Sequence, residues 1–353
     1  MSRRIAKAVS GFTLIELMVA MLLGLIVIAG VTSVFLASQQ TYRANEALGD
    51  VSDGTRIAFE LLARDIRNAG FSGCDDTSGR IANVLSNGPN SGNPVAWYAN
   101  WAVPIQGYDD ASKDPALTGI TGTGAPVAGT SSLQILSTVN TDVSVGTSTG
   151  GSTSFNTNVA STELAAGDIL MLCDFDHSTL LQIASVNGTA VGFNATATPA
   201  PGNCSTGLNY PTSCGGNAYT FQPNAHIGLL SADDWYIGTS TQNGQSFRSL
   251  YRLPVTYTAA GVSVATPVEM VRNVTGMTIN YLQSPTAPSI GVMPGSNPGT
   301  AFVNATAVTN WASVYAAQVQ LTVISTNRRA SVNGTAPLTR SFTFTTTIRN
   351  RTP

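Results

Sequence analysis

The chain has 353 residues, 43% of them hydrophobic and only 10% charged, with a formal net charge of −2. That length allows one large domain or two. Nucleic-acid binding wants a dense basic surface, and the 17 Lys and Arg residues here are too sparse to make one. The charge is unevenly spread: no Lys or Arg occurs from Asp114 to Phe247, and no Asp or Glu follows Glu269.

The first element is a short basic leader with Arg3, Arg4 and Lys7, ending at Gly11. Glu16 follows, and residues 17–42 then carry no charge at all. The run from Leu17 to Leu36 is long enough to cross a hydrocarbon core of roughly 30 Å as a helix. A basic leader ahead of it predicts a cytoplasmic N-terminus and an external C-terminal body. An acid in a membrane helix costs about 2.5–3.5 kcal/mol near the centre and less near an interface, so Glu16 is a functional candidate. Its bland alternative is a favourable contact with the positive end of its own helix, worth about 0.3–1 kcal/mol.

The helix is expected to continue past the membrane, because no proline occurs before Pro89. Leu48, Val51, Ala58, Leu62 and Ile66 recur at helical spacing, a stripe suited to packing on a domain. Gly49 and Gly54 each cost about 1 kcal/mol relative to alanine and mark a candidate bend. Gly70 offers a stop. From residue 12 to about residue 68 such a helix would be on the order of 85 Å long.

Beyond it the sequence reads as β. Expected strands are Ser132–Val139, Asp168–Cys173, Thr179–Val186, Ala218–Phe221, Ser246–Val255, Met270–Leu282, Val314–Ser325 and Ser341–Arg349. The span 115–165 is Gly/Ser/Thr-rich and 284–300 is Pro/Gly-rich, so insertions are expected at about 115–165 and 284–310. The fold class is therefore α+β, a long N-terminal helix packed on a large antiparallel β-domain. The expected divisions are 1–11, 12–37, 38–70 and 71–353.

Cys74, Cys173, Cys204 and Cys214 all lie beyond the apolar run, where an oxidising compartment permits disulfides. Four cysteines allow three connectivities. Cys204–Cys214, closing a short Pro/Gly-rich loop, and Cys74–Cys173, tying the helix exit to a strand, are favoured. No metal or cofactor is expected, since no CxxC pair or close histidine pair occurs. Asp174 with Asp176, and Asp109, Asp110 and Asp114, have calcium-type oxygens but no calcium-loop pattern, so solvated turns are the preferred reading. Gly146-Thr147-Ser148-Thr149-Gly150 spells GxSxG, which means little without a strand–turn–helix elbow and a triad. His177 and His226 have no partner by spacing. Asn-x-Ser/Thr triplets at Asn187, Asn194, Asn203, Asn273, Asn304, Asn333 and Asn350 matter only in a eukaryotic secreted chain. Trp97, Tyr98 and Trp101 suggest a satellite core, with an exposed adhesive patch as the alternative.

The stretch Gly11-Phe12-Thr13-Leu14-Ile15-Glu16 resembles the cleavage motif of type IV prepilins. The resemblance implies that a peptidase cuts after Gly11, that Phe12 becomes the methylated first residue, and that Glu16 meets the Phe12 amine of a neighbouring subunit. That amine would be largely cationic at neutral pH. Leaving out the leader's three basic residues takes the formal charge from −2 to −5. Leu62-Ala63-Arg64-Asp65-Ile66-Arg67-Asn68-Ala69-Gly70-Phe71, Val271-Arg272-Asn273-Val274-Thr275-Gly276-Met277 and Ile348-Arg349-Asn350-Arg351 are similar to PilW-type minor pilins, relatives of the J-type minor pseudopilins of type II secretion. The resemblance implies a non-enzymatic subunit of a complex that primes pilus assembly and sits at the tip. Its implied partners are other minor pilins, the major pilin, the prepilin peptidase and the inner-membrane platform. Its implied location is the bacterial inner membrane, with a periplasmic body, and then the pilus tip. A type II secretion pseudopilin and a tip adhesin are the alternatives.

Overall fold

The computed structural model describes Gly11 and residues 13–74, 80–210, 214–242, 245–264, 266–286, 292–331 and 335–352. A single helix, α1, runs over Leu14–Asn68 without interruption at Gly49 or Gly54. It ends where the sequence offers a stop: Gly70 has φ +73°, and its N–H bonds to Leu136 O at 2.7 Å. A left-handed residue just past a helix is readily supplied by glycine. The buried stripe of the second half is Ala47, Val51, Ala58, Leu62 and Ile66, each fully buried, whereas Leu48 is exposed. The expected stripe is thus one residue out at its start.

The strands in chain order are β1 Ile81–Asn83, β2 Ile105–Tyr108, β3 Ser132–Thr147, β4 Ser154–Thr157, β5 Ile169–Cys173, β6 Ser178–Gln182, β7 Ser185–Asn187 and β8 Ala190–Gly192. They continue as β9 His226–Gln242, β10 Gln245–Thr258, β11 Gly261–Val264, β12 Val268–Arg272, β13 Val274–Gln283, β14 Val303–Asn304, β15 Val314–Ile324 and β16 Thr339–Thr347. Among the described residues, twelve strands join one sheet, with the path β1-β6-β5-β9-β3-β4-β8-β7 and side pairings of β10, β11, β12 and β2. A second sheet has the order β14-β13-β15-β16. Among the described residues β1 pairs β6 in parallel, while the long pairings β9–β10, β13–β15, β3–β9 and β5–β6 are antiparallel. The fold is α+β.

Several expectations change in detail. The span 115–165, expected as an insertion apart from a strand at Ser132–Val139, contains all of β3, which runs on to Thr147, and all of β4, because Thr and Ser pack on a half-buried pleat as well as in loops. Ala218–Phe221 is not a strand; Phe221 is buried there as an irregular core residue. Met270–Leu282 is two strands, parted at Asn273, whose φ of 62° moves the chain from the first sheet to the second. The longest strand, β9, is absent from the expectations. Gly228, Gly238 and the pair Asp233-Asp234 break its apolar pattern, yet each is needed: a Cβ at Gly238 would sit 2.7 Å from the Tyr251 ring, and one at Gly228 would press on Thr138.

Two compact units divide the chain. One holds residues 1–52 and 325–339, and the other holds 53–324 and 340–353. In the larger unit the helix segment from Asp53 onward is fixed by specific contacts. Phe59 packs on Phe344 with ring centroids 4.2 Å apart, and Asp65 accepts a hydrogen bond from Trp235 Nε1 at 3.0 Å. Its core includes a cluster built on Leu170, Leu172, Leu181, Ile183, Phe221 and Ile227, and another on Trp101, Leu136, Met171 and Leu180.

Candidate functional site

The N-terminal segment is built from its first turn upward. Thr13 precedes the helix, and Glu16 lies three residues on. Glu16 N–H donates to Thr13 Oγ1 at 3.3 Å, while Glu16 Oε2 accepts from Thr13 N at 3.2 Å and Thr13 Oγ1 at 3.1 Å. This is a reciprocal capping box, which satisfies orphan donors at a helix start. The Thr-x-x-Glu spacing is legible in the sequence, and reading Glu16 only as a dipole partner misses it. Gly11 is described and exposed. Phe12, the expected cleavage and methylation residue, lies outside the described residues, as does the leader up to Ser10.

Behind the box the apolar run is open to its surroundings. Leu14, Ile15, Leu25, Ile28, Phe35 and Leu36 are each more than half exposed, and no charge interrupts residues 17–42. A helix this apolar and this long is of a length and composition that crosses a membrane. An apolar surface of that extent on all sides is stable only in lipid or against other apolar helices.

The remaining candidates are accounted for by contacts in the larger unit. Cys74 is bonded to Cys173, with Cα atoms 6.2 Å apart, and Cys204 to Cys214, at 5.0 Å. Asp109 accepts from Ala305 N, Thr306 N and Thr306 Oγ1, and these hydrogen bonds outweigh burial and hold its pKa below the usual range. Asp110 accepts from Ser112 and Gly129. Asp174 accepts from Tyr219 Oη and from the backbone N–H groups of Asp176, His177 and Gln222. Among the described residues, no three His, Cys, Asp or Glu side chains gather as a metal group would need. His177 stacks on Tyr219 and shares Nε2 with Thr179 Oγ1 and Leu208 O; burial lowers its pKa. His226 is lowered for the same reason, and its Nε2 finds no hydrogen-bond partner. The Gly146–Gly150 stretch joins β3 toward β4, a strand–turn–strand rather than an elbow onto a helix. Trp101 is buried, with Trp97 and Tyr98 half-buried against the same cluster. Asn203 is buried and bonds Gln182, while Asn333 lies outside the described residues.

Asp114 departs from a solvated turn altogether. It is 1% exposed, and accepts from Ser132 Oγ at 2.5 Å, Gln134 Nε2 at 2.6 Å and Ala116 N at 2.9 Å. Asp234, fully buried and directly across β3–β9 from Gln134, brings its carboxyl against that of Asp114. Burial raises both pKa values, most strongly that of Asp234, and the neighbouring carboxylate raises Asp234 further. Burial and the two acids together push Tyr108 up to about 12. Three donors favour the anion on Asp114, whereas neither carboxyl oxygen of the buried Asp234 has a donor to it, so the proton is favoured on Asp234.

The family model described as the prokaryotic N-terminal methylation motif matches residues 6–32. The match supports a pilin or pseudopilin. It covers the basic leader, the Gly11–Glu16 segment and most of the exposed apolar run, so it coincides with the capping box and the membrane-length helix. No curated protein and no solved structure matches the chain. The pilin-type motif goes with a structural subunit of a type IV pilus or type II secretion system, and with membrane anchoring through the apolar helix.

Proposed function

We propose that this protein is a minor pilin of a type IV pilus, of the PilW type, that primes filament assembly and sits at the tip. The observation that carries the reading is the uncovered apolar helix whose first turn bears Glu16, joined to an unusually bulky β-domain. Cleavage after Gly11 frees the Phe12 amine. In the membrane the apolar helix packs on those of partner minor pilins, where Glu16 exchanges its capping contact for the amine of a neighbour. An ion pair taken out of water is favourable only when its groups are matched, and this selects the register in which helices stack. The β-domain, too large to repeat densely along a filament, supplies side-to-side recognition and ends the stack. The body is periplasmic before assembly and surface-exposed after it.

Counting surface pili in a strain lacking the gene tests this. The expected result is loss of pili and of twitching, restored by the complete chain. Normal pili with lost exoprotein secretion would instead make it a type II secretion pseudopilin. Intact pili with lost attachment would make it a tip adhesin.

A further inference from the structure

The smaller unit contains a loop that descends along the helix toward the apolar run. Ser325 N bonds Leu338 O and Leu338 N bonds Ser325 Oγ, closing the loop's base. Thr326 Oγ1 then donates to Asp50 Oδ2 at 2.5 Å, while Gln40 Nε2 donates to Ser331 O at 2.6 Å and Arg329 O at 3.3 Å. From Asp50 to Gln40 is ten residues of helix, about 15 Å toward the N-terminus. Gln40 is itself four residues, about 6 Å, beyond Leu36, where the apolar run ends. Arg329 and Ser331 therefore stand at the level where a membrane-crossing helix leaves the hydrocarbon and enters the headgroups.

Charge is sorted along this unit. Arg329 is exposed at the low end of the loop. Arg43 is half-buried and three residues along from Gln40, so it neighbours the docking point on the same side of the helix. The acids lie higher, with Glu46 a turn above and Asp50 engaged by Thr326. The turn that carries Arg329 is set by local hydrogen bonds: Arg329 N donates to the Asn327 side chain at Oδ1, and Ser331 N donates to Ala336 O. Arginines at the low end of the unit, with Glu46 and Asp50 further along the helix from the apolar run, match one chemistry.

We propose that Arg43 and Arg329 form a cationic collar that takes the phosphates of anionic phospholipid headgroups around the emerging helix. Guanidinium groups bind phosphate in a two-pronged way and keep their charge at any physiological pH. The collar sets the depth and rotation of the helix before extraction into a filament. This rests on the membrane-helix reading above.

The test uses the full chain reconstituted in phosphatidylcholine vesicles containing a minority of phosphatidylglycerol. Spin-labelled lipids report how strongly each headgroup associates with the helix. The expected result is a preference for phosphatidylglycerol approaching about thirtyfold at low salt, since each near-surface arginine supplies roughly 1 kcal/mol. The double variant Arg43→Gln/Arg329→Gln should bring the preference close to unity, and Arg43→Lys/Arg329→Lys should keep most of it. Circular dichroism shows whether each variant is folded, and Arg329→Gln alone, in the exposed loop, gives an intermediate value. Equal preference in the wild-type chain and the double variant overturns the collar. Loss of the preference on adding inorganic phosphate at constant ionic strength overturns it as a lipid site and assigns it to free phosphate. Failure of the chain to resist carbonate extraction would sink the membrane-helix reading and the collar with it, which separates that failure from the others.

Discussion

Glu16 is held by Thr13 in the isolated chain, so its charge is already committed to the helix start. Substitutions separate the two roles. Glu16→Ala removes cap and charge, while Glu16→Gln keeps a capping side chain, since glutamine also closes a capping box. Losing the box should cost about 0.5–2 kcal/mol locally, and the thermal midpoint of the β-domain should not move. Co-isolation with partner minor pilins from membranes should fall in both variants; full association in Glu16→Gln would show that the charge is not what assembly reads. The Asp114–Asp234 pair makes a second residue-scale prediction. Asp234 has a raised folded pKa, so folding retains a proton that the unfolded chain gives up. The resulting stability is complete at acid pH and is lost as pH rises through the raised value. Every tenfold gain in proton affinity on folding corresponds to about 1.4 kcal/mol. Unfolding midpoints taken from about pH 5 to about pH 9 should decline for the wild-type chain and stay flatter for Asp234→Asn, which offers Asp114 a donor without a proton to lose. Parallel declines in the two proteins would locate the titration elsewhere.

Among the elements, the two disulfides differ in what they close. Cys74–Cys173 spans a sequence separation of 99 and ties the helix exit to β5, whereas Cys204–Cys214 spans 10 within one loop. Chain entropy assigns about 4.7 kcal/mol to a loop of that greater length and a little under about 3 kcal/mol to the shorter, before any native strain. Urea unfolding of the paired serine variants should show the larger loss for Cys74→Ser/Cys173→Ser; the reverse order would mean that unfolded-state entropy is not the governing cost. How far such elements are legible in the sequence depends on whether local pattern and tertiary role agree. The helix is legible because its apolar run, its lack of proline and Gly70 all give the same answer. Strand β5 is legible as five successive buried residues. Strand β9 is not, since Asp233 and Asp234 look like a turn until Arg252 and Asp114 are brought to them from distant segments. The same blindness hides the buried acid pair, half of which reads as a solvated turn. The docking of the loop at Gln40 has no signal in sequence, because it uses backbone carbonyls that any residue carries.

For the whole molecule, the distribution of burial says which part needs lipid. The large apolar side chains before Tyr42 are exposed, and the buried hydrophobic residues begin at Ala47. The apolar run therefore contributes surface for a membrane or for neighbouring helices and nothing to the core of the larger unit. That core draws instead on Leu62 and Ile66 of the helix, on the sheet clusters and on both disulfides. A chain starting at residue 37 should accordingly be soluble without detergent, keep the β-type circular dichroism of the complete protein, and unfold within a few degrees of it; about 1 kcal/mol shifts the midpoint by only a few degrees at this size. It should also fail to enter membranes or to restore pili in the deletion strain. A chain shortened further, to begin at residue 69, removes Leu62 and Ile66, and buried residues of that size are worth about 2–5 kcal/mol each when truncated to alanine. It should lose cooperative unfolding. Equal thermal stability in the two shortened chains would mean that the second half of the helix is a spacer rather than part of the core, and subunit recognition would then have to be sought on the β-domain alone.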